Sequence, residues 1–404
     1  MEFHLFLCKK KELKNQQQIR VKELLSVIPD DKIVSLAAST QVDYCTKVLY
    51  GRSVFYMLLY GLLETERASL RTMEDIFNSV KFKFLFNLDQ HKSVRHSSIS
   101  DRLSVMNIVF FEQLFEHFYN QLSHLYPQEE LLKHNIVRVD STMVAETSAK
   151  LSSGMCVGQK KDGKKQIKYT IGFDGQFPCA VEVFDDKSCL SEDLTIPQVV
   201  LTHARKTKHN IYVFDRGVSK RSTFDELEKR GIEFVTRLKE SASYQSIEVK
   251  EGVGRTLGNL LLLKDETVRL YIHTKGKAKK ATEEIFRLIT TENTKGERLL
   301  FLTNIMDLDA EVITEFYRSR WDIEVFFRFV KQELNFSHFM STNQNGIKII
   351  LYMTLILSML LLIYKRLNNW GYKTAKRRFA IELDELIIAM IVRFCGGNPA
   401  LVFR

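Results

Sequence analysis

Residues 315–333 read EFYRSRWDIEVFFRFVKQE, and this stretch predicts a helix with charged and aromatic side chains on one face. When each residue turns the helix by about 100°, four side chains fall within an arc of about 60°: Tyr317, Arg320, Glu324 and Lys331. A glutamate between basic residues suits a site for metal-associated phosphate, because the carboxylate ligates the ion and the cations contact the phosphate. The alternative is a solvated face in which Arg320 and Glu324 form an ordinary i,i+4 ion pair.

The chain has 404 residues, which is long enough for two or three domains with a large hydrophobic core. Hydrophobic residues make up 45% of it and 28 residues are Phe, so we expect a globular protein. Lysine and arginine (59) exceed aspartate and glutamate (49), which gives a formal net charge of +10. This excess favours a polyanionic partner, of which nucleic acid is the simplest.

The six cysteines are scattered and show neither a C-x-x-C motif nor a histidine at zinc-site spacing. We therefore expect reduced thiols in a cytoplasmic protein, without disulfides or a zinc site. The apolar run at the N-terminus is too short for a signal peptide. The uncharged segment 349–364 is shorter than the roughly 20 residues of a membrane span, so we expect a buried core helix and no membrane partner.

From about residue 135 the hydrophobic pattern changes from a helical period to an alternating one. Three strand-like runs, a helix, a strand, a helix and a strand follow, which is the order of an α/β RNase H-like core. Short alternating runs punctuated by glycine then predict a mostly β insertion. The chain divides accordingly into an N-terminal helical region at 1–134, the first part of the core at 135–239, the insertion at 240–302, the rest of the core at 303–340, and a C-terminal helical region at 341–404.

Two aspartates end predicted strands of this core, Asp140 in VDST and Asp215 in FDRG. Ligands gather at the carboxyl ends of strands in open α/β sheets, so neighbouring strands would place both carboxylates together with Glu324. Three carboxylates can hold two divalent ions for phosphodiester chemistry, and oxygen ligands suit Mg²⁺, with Mn²⁺ as a substitute. Taken singly, a strand-terminal aspartate is more often a turn former or a helix cap. Competing acids lie nearby in the sequence: Asp174, Glu182, Asp185, Asp186 and Asp193.

The identities and gaps of Tyr317, Arg320, Glu324 and Lys331 resemble the Y-R-E-K pattern of DDE transposases of bacterial insertion sequences, in the insertion sequence 4 family. The resemblance implies that Arg320 and Lys331 grip the phosphate backbone at the cleaved DNA end. It also implies that Tyr317 contacts the terminal phosphate or a neighbouring nucleotide.

VDST and FDRG resemble the segments that carry the first two catalytic acids of that family. The order Asp140, Asp215 and then Glu324 after an insertion reproduces the family's D-D-E layout across residues 135–335. The resemblance therefore implies that these three acids are the catalytic residues and the metal ligands.

For the whole chain the resemblance implies a cytoplasmic, nucleoid-associated transposase whose N-terminal region binds the terminal inverted repeats of its element. The expected chemistry is metal-dependent, cut-and-paste DNA cleavage and strand transfer to target DNA, without a covalent protein–DNA intermediate. A homodimer on paired ends is expected. Some relatives hold a flipped base with a Trp of the insertion; here Trp321 and Trp370 lie outside it, which leaves Tyr271 or Phe286 for stacking.

The segment QKKDGKKQIK at 159–168 is a basic cluster at the tip of a predicted hairpin that follows Asp140 closely in the sequence. A charge run is usually a solvated face, but this position favours contact with the DNA backbone. The DNA-binding residues predicted here are Lys160, Lys161, Lys164 and Lys165.

Three other functions fit parts of the same sequence. An RNase H-like nuclease or junction resolvase would use the same metal ions without strand transfer. A non-catalytic DNA-binding repressor derived from a transposase would have no need for Glu324 opposite two strand-end aspartates. A membrane-anchored basic protein would use segment 349–364 as its anchor, and fractionation would separate it from the soluble alternatives.

Overall fold

The computed structural model of the chain describes residues 20–25, 30–64, 68–125, 134–146, 151, 153–156, 165–207, 209–251, 254–272 and 280–401. The described part of the N-terminal region is helical, with α1 (Val21–Leu25), α2 (Asp30–Ser39), α3 (Gly51–Glu64), α4 (Leu70–Asn78), α5 (Val80–Leu85), α6 (His96–Val105) and α7 (Ile108–Leu125). Serine N-caps begin two of these helices, α4 and α5, since Ser69 accepts a hydrogen bond from the Thr72 N–H and Ser79 accepts one from the Phe82 N–H.

The central part of the chain alternates strands with helices: β1 (Asn135–Glu146), β2 (Met155–Cys156), β3 (Lys165–Phe173), β4 (Pro178–Phe184), α8 (Glu192–Lys206), β5 (Asn210–Phe214), α9 (Arg221–Lys229) and β6 (Glu233–Leu238). β3 pairs antiparallel with both β1 and β4, whereas β1, β5 and β6 run parallel to one another. The order across the sheet is therefore β4-β3-β1-β5-β6. Apart from the two-residue β2, the order along the chain is the one expected for an RNase H-like core.

The described residues between β6 and residue 303 form six strands joined by turns and loops, called the inserted strands below: β7 (Tyr244–Glu251), β8 (Thr256–Leu257), β9 (Leu260–Ile272), β10 (Lys280–Ala281), β11 (Phe286–Asn293) and β12 (Arg298–Thr303). β12 pairs antiparallel with β6, and β11 and β9 continue the same sheet beyond it. Phe286 is fully buried against Phe224 and Phe234, which belong to α9 and β6. The inserted strands thus extend the core sheet and share its hydrophobic interior.

The stretch 315–333 is not a single helix, and the prediction of one continuous helix is wrong. α10 (Ala310–Arg318) and α11 (Trp321–Glu333) are separated at Ser319 and Arg320. Both junction residues keep right-handed helical dihedral angles, but the N–H groups of Arg320 and Asp322 bond to carbonyls three residues earlier, which tightens the turn. The Y-R-E-K side chains therefore lie on two helices and their junction, and the arc of one straight helix does not describe them.

The described residues contain one helix that is long and apolar enough to cross a membrane, α12 (Gln344–Leu367), and 83% of its most apolar window is buried inside the protein. α12 packs against α3, α6, α7 and the last long helix, α13 (Tyr372–Phe394). The prediction that segment 349–364 is a buried core helix is confirmed, because the packing leaves this apolar surface covered by protein.

Candidate catalytic site

Asp140 and Asp215 lie side by side because of the parallel register between β1 and β5. The last pair of this register is Val139 opposite Phe214, so the next residue on each segment is an aspartate. Asp215 directly follows β5, as the sequence predicts. Asp140 does not end its strand, which corrects the sequence prediction, since β1 continues to Glu146 and keeps pairing with β3. Asp140 and Asp215 therefore lie side by side at the point where the pairing of β5 with β1 ends.

Arg320 joins Asp140 to Glu324. Its Nη1 lies 3.3 Å from Asp140 Oδ2, and its Nη2 lies 2.5 Å from Glu324 Oε1. The Arg320 and Asp140 side chains are only 15% and 14% exposed. One guanidinium therefore spans the gap between the two carboxylates, and the third acid, Asp215, stands beside Asp140.

A cleft of about 840 Å³ opens next to these acids, lined by Asp215, Arg216, Arg237, Leu238, Glu240, Asn293, Gly296, Glu297, Arg298, Leu299, Tyr317 and Arg320. The Tyr317 ring lies near two guanidinium groups, with the Arg320 and Arg237 Cζ atoms 6.0 and 5.8 Å from its centroid. One wall comes from the turn between β11 and β12, so the inserted strands shape the cleft. Four arginines line this cleft together with Asp215, Glu240 and Glu297, and the arginines suit a polyanionic strand.

Burial and the neighbouring acidic charges disfavour the ionisation of Asp140 and Glu192. Burial raises the pKa of Asp140 to about 6, against the hydrogen bond from the Ser141 N–H and the attraction of Arg320, while the charges of Glu192 and Asp215 add repulsion. Burial also raises the pKa of Glu192, and the charge of Asp215 raises it further. Carboxylates gathered in this way favour the presence of a compensating cation.

Two further Y-R-E-K side chains respond to the same charges. Burial raises the pKa of Tyr317, and the negative charge of Asp215 adds to the effect. Burial lowers the pKa of Lys331, and the attraction of Asp140 opposes the shift. Lys331 follows Glu324 by about 10.5 Å along the α11 axis.

Arg138 ties the junction of α10 and α11 to strand β1. Its side chain is buried; Nε donates to the Ser319 carbonyl at 3.2 Å, and Nη2 lies 3.3 Å from Asp322 Oδ2. Nη1 donates to two more carbonyls, in β1 and in the turn after β3, at 2.9 and 3.0 Å. Because Arg320 lies between Ser319 and Asp322, the buried guanidinium fixes the part of the chain from which Arg320 reaches the acids.

The family description Transposase DDE domain matches residues 132–360, which is more than half of the chain and includes every cleft residue described above. The chain belongs to the Transposase DDE domain family. Domains of this family generally use divalent metal ions.

Two curated relatives carry transposase names. The chain is 28% identical over 221 residues to the transposase y4zB of Sinorhizobium fredii, covering 53% of this chain and 58% of the relative. It is 25% identical over 266 residues to the transposase for insertion sequence element IS5377 of Geobacillus stearothermophilus, covering 66% of this chain and 64% of the relative. The chain thus spans about three fifths of the length of these relatives.

Among solved structures, the chain resembles the piggyBac transposase in a synaptic complex with hairpin DNA, determined by cryo-electron microscopy. The TM-score is 0.48 at 11% sequence identity, and the superposition covers 93% of this chain and 82% of the other.

Residues of the DDE domain that the sequence did not single out also reach the cleft or support it. Glu192 is the first residue of α8 and directly follows the N-cap Ser191. The sequence pattern there indicates the start of a helix and gives no sign of a functional acid. Arg237 lies on β6 and lines the cleft beside Tyr317. Arg138 precedes Asp140 by two positions on one strand, and this alternation was the available sign that both side chains share a face.

Three of the acids that compete in the sequence with Asp140 and Asp215 for the catalytic role instead accept hydrogen bonds that stabilise local structure. Asp174 accepts a hydrogen bond from the Tyr119 hydroxyl at 2.8 Å, and Asp186 accepts one from the Ser188 N–H at 2.8 Å. Asp193 accepts from the Lys220 N–H at 2.7 Å and so anchors the loop after Asp215. The remaining two lie away from the cleft, Glu182 on β4 and Asp185 directly after it.

The donor set of the DDE domain fits hard divalent cations, because Asp140, Asp215 and Glu324 are oxygen ligands beside one cleft. In the side-chain arrangement of the described residues, no three acidic, histidine or cysteine groups converge on one ion position. The guanidinium of Arg320 lies between Asp140 and Glu324 and contacts both carboxylates. Joint ligation of one ion by these two acids therefore requires Arg320 to turn away. The described cysteines, Cys45, Cys156, Cys179, Cys189 and Cys395, are free.

Of the four lysines in the predicted DNA-binding cluster, the structure describes only Lys165. Lys160, Lys161 and Lys164 lie outside the described residues. Lys165 begins β3, and its Nζ donates to the Leu151 carbonyl at 2.5 Å. This ammonium is therefore held partly by the main chain of a neighbouring segment.

The aromatic alternatives for base stacking differ in exposure. Phe286 is fully buried inside the sheet, so its proposed stacking role is wrong. Tyr271 remains partly exposed near the end of β9.

Proposed function

We propose that this chain is a DNA transposase that binds the terminal inverted repeats of its insertion sequence and moves it by cut-and-paste DNA cleavage and strand transfer. The observation that carries the proposal is the meeting of Asp140, Asp215 and Glu324 beside one basic-walled cleft of a DDE domain. The transposase names of the two relatives support it. The Y-R-E-K spacing further favours the insertion sequence 4 family.

In this proposal Asp140, Asp215 and Glu324 are the catalytic acids and hold two Mg²⁺ ions, for which Mn²⁺ can substitute. When bound, these ions supply Lewis-acid stabilisation of the phosphodiester oxygens that gain charge during cleavage. The protein contributes the fixed spacing of the acids, which follows from the β1–β5 register and from the position of α11.

The basic and phenolic groups bind the DNA. Arg320 lies between the acids and the cleft, so its guanidinium is placed to exchange carboxylate contacts for a bidentate contact with the phosphate. Tyr317 lines the same cleft and contacts the terminal phosphate or nucleotide. Lys331 contacts DNA flanking the cleaved bond.

The rest of the chain binds the DNA ends and forms the dimer. The helical region at 1–134 binds the inverted repeats, and the net charge of +10 favours association with DNA. A homodimer brings two ends together in the synaptic complex, within the bacterial cytoplasm and associated with the nucleoid.

The test is DNA cleavage by the full chain with Mg²⁺ and a duplex carrying the inverted repeats that flank its gene. Asp140→Asn should lower the cleavage rate by about 10³-fold or more, because the acids act as a unit. Binding of the same duplex in a mobility-shift assay should stay near the wild-type level. Glu226→Gln, which alters an exposed acid on α9, is the control and should cleave normally. Undiminished cleavage by Asp140→Asn would refute the assignment.

A second assay separates the transposase from a nuclease or resolvase. Pre-cut ends with a free 3′-hydroxyl are incubated with a supercoiled plasmid, Mg²⁺ and the chain. Integration products are expected from a transposase. Efficient end cleavage with no integration would instead favour the nuclease.

A further inference from the structure

A hollow of about 110 Å³ lies between the start of α9 and the end of β6, next to the cleft. Arg216, Arg237 and Leu238 line both spaces, so the hollow and the cleft adjoin. Four basic residues and three serines line this hollow, called the basic hollow below, and none of its lining residues in the described part of the chain is an acid. The four basic residues are Arg216, Arg221, Arg237 and Lys239. Charges of one sign therefore surround a small space.

Two guanidinium nitrogens at the basic hollow are buried without a hydrogen-bond acceptor. They are Arg221 Nη1 and Arg237 Nε, and neither finds an acceptor among the described residues. Arg138 and Arg287, by contrast, donate to carbonyls and pair with carboxylates. A buried charged donor without an acceptor is unfavourable. Because Arg221 and Arg237 line the hollow and stay partly exposed, an anion that enters it can reach both guanidinium groups.

Aromatic rings, and not carboxylates, support these two arginines. The Cζ atom of Arg221 lies 5.9 Å from the centre of the Phe224 ring, and that of Arg237 lies 5.8 Å from the centre of the Tyr317 ring. Contact with a ring leaves the positive charge of a guanidinium uncompensated and its N–H groups free to donate. Among the described residues, none of the four basic side chains forms an ion pair.

The start of α9 adds positive charge to the basic hollow. Its N-cap is Lys220, whose side chain makes no capping hydrogen bond, so the helix N-terminus keeps its partial positive charge beside Arg221. The acid that acts on Arg221 is Asp193. Its carboxylate is already engaged, since it accepts hydrogen bonds from the Ser219 hydroxyl at 2.9 Å and from the Lys220 N–H at 2.7 Å.

We propose that the basic hollow binds one phosphate of the DNA backbone, in a strand that leaves the cleft past Tyr317. The proposal rests on the proposed function, whose DNA path it extends. Arg216 and Arg237 line both spaces and so connect them, whereas Arg221 lines the hollow alone. The unbridged oxygens of a phosphodiester are the acceptors that paired guanidinium groups bind best.

Binding of the inverted-repeat duplex to the full chain tests the proposal, measured by mobility shift across a range of salt concentrations. Arg221→Gln should weaken binding about 10-fold and lower the logarithmic salt slope by about 0.9, because one phosphate contact is lost. Arg230→Gln is the matched control, since it removes the same charge from an exposed arginine at the other end of α9. It should keep the wild-type slope. A wild-type slope for Arg221→Gln would overturn the proposal.

A series of duplexes, each with a neutral methylphosphonate in place of one phosphate, locates the contact. The wild type should lose affinity at one position where Arg221→Gln loses none, because either change removes the same charge pair. Equal losses by the two proteins at every position would show that Arg221 contacts no phosphate.

Ser241 offers a test that leaves the packing of the arginines intact, because it is an exposed residue that lines the basic hollow. Ser241→Asp should weaken duplex binding about 10-fold, since its carboxylate repels the phosphate. Ser241→Asn, which adds a similar volume without charge, should bind like the wild type. Both variants should unfold at the wild-type temperature. Equal binding by the two variants would contradict a phosphate in the hollow.

The outcomes separate this inference from the function on which it rests. Wild-type duplex binding by Arg221→Gln together with lost cleavage by Asp140→Asn would overturn the phosphate site and leave the transposase proposal standing. Undiminished cleavage by Asp140→Asn, with the coupling between Arg221 and one phosphate retained, would overturn the catalytic assignment alone. A wild-type chain that does not bind the duplex would overturn both.

Discussion

At the scale of single residues, the ionisation of Asp140 opposes folding. The carboxyl group is buried beside Asp215 and Glu192, and its folded-state pKa of about 6 exceeds the value of about 3.9 for a free aspartate. The unfolded chain therefore releases this proton at a lower pH than the folded chain does. The contribution of Asp140 to the free energy of unfolding falls as the pH rises from about 4 to about 6, and it stays low above that range.

Asp140→Asn should therefore stabilise the metal-free chain near pH 7, by about 3 kcal/mol. The variant's advantage over the wild type should shrink as the pH falls from about 6 to about 4. Urea unfolding in the presence of a chelator at several pH values measures this difference. A variant less stable than the wild type near pH 7 would show that pairing with Arg320 outweighs the cost of burial.

At the scale of elements, the junction of α10 and α11 brings a basic group to the acids. Arg320 occupies the junction, and buried Arg138 fixes the flanking Ser319 carbonyl and Asp322 to β1. A second buried arginine, Arg287 of β11, pairs with Asp265 at 2.6 Å and lies within the inserted strands. The two arginines are equally buried, but Arg138 contacts the junction after α10, whereas Arg287 contacts Asp265 of β9 and the Leu308 carbonyl before α10.

Arg138→Lys should slow DNA end cleavage more than its loss of stability explains, because one ammonium cannot serve three carbonyls and a carboxylate. Each arginine-to-lysine change should cost about 3 kcal/mol, since each leaves buried partners unpaired. Arg287→Lys is the control and should cleave at the wild-type rate well below its unfolding temperature. Equal cleavage rates for the two variants, measured with matched folded fractions, would contradict a positioning role for Arg138.

At the scale of the whole molecule, one sheet joins the core to the inserted strands. β12 covers the edge of β6, and Phe286 packs on Phe224 and Phe234. The turn between β11 and β12 forms a wall of the cleft. The inserted strands therefore contribute to stability as well as to the shape of the site.

Replacing residues 240–302 with a short glycine-serine linker should abolish cooperative unfolding and promote aggregation, because β6 becomes an exposed edge strand. Circular dichroism during heating and size-exclusion chromatography measure the two effects. A monomeric deletion variant with a wild-type unfolding temperature would show that the inserted strands form an independent unit.

The distribution of charge over the molecule gives a prediction for DNA binding. Reversing Lys160, Lys161, Lys164 and Lys165 to Glu should weaken binding and flatten its salt dependence, with the logarithmic slope falling by about 0.9 for each lost phosphate contact. Mobility-shift titrations across a range of salt concentrations provide the slope. A slope equal to that of the wild type would exclude these lysines from the DNA interface.

The sequence alone determined the order of strands and helices in the core and the buried character of α12, and it singled out Asp140 and Glu324, which Arg320 bridges. Each depends on residues close together in the chain: hydrophobic periodicity, an unbroken apolar run, or a short motif at the end of a strand. The sequence also indicated that Asp140 and Asp215 would be neighbours, although the parallel register of β1 with β5, and not a shared strand end, is what places them together.

Only the tertiary structure decided the break at Ser319, the continuous sheet and the position of Glu192. At the break, the Ser319 carbonyl accepts a hydrogen bond from Arg138, which lies 181 positions away in the chain. The sheet depends on the pairing of β12 with β6, and Glu192 reaches Asp215 through the packing of α8. Hydrophobic periodicity does not predict these contacts, because each forms between segments that are distant in the sequence and meet only in the folded chain.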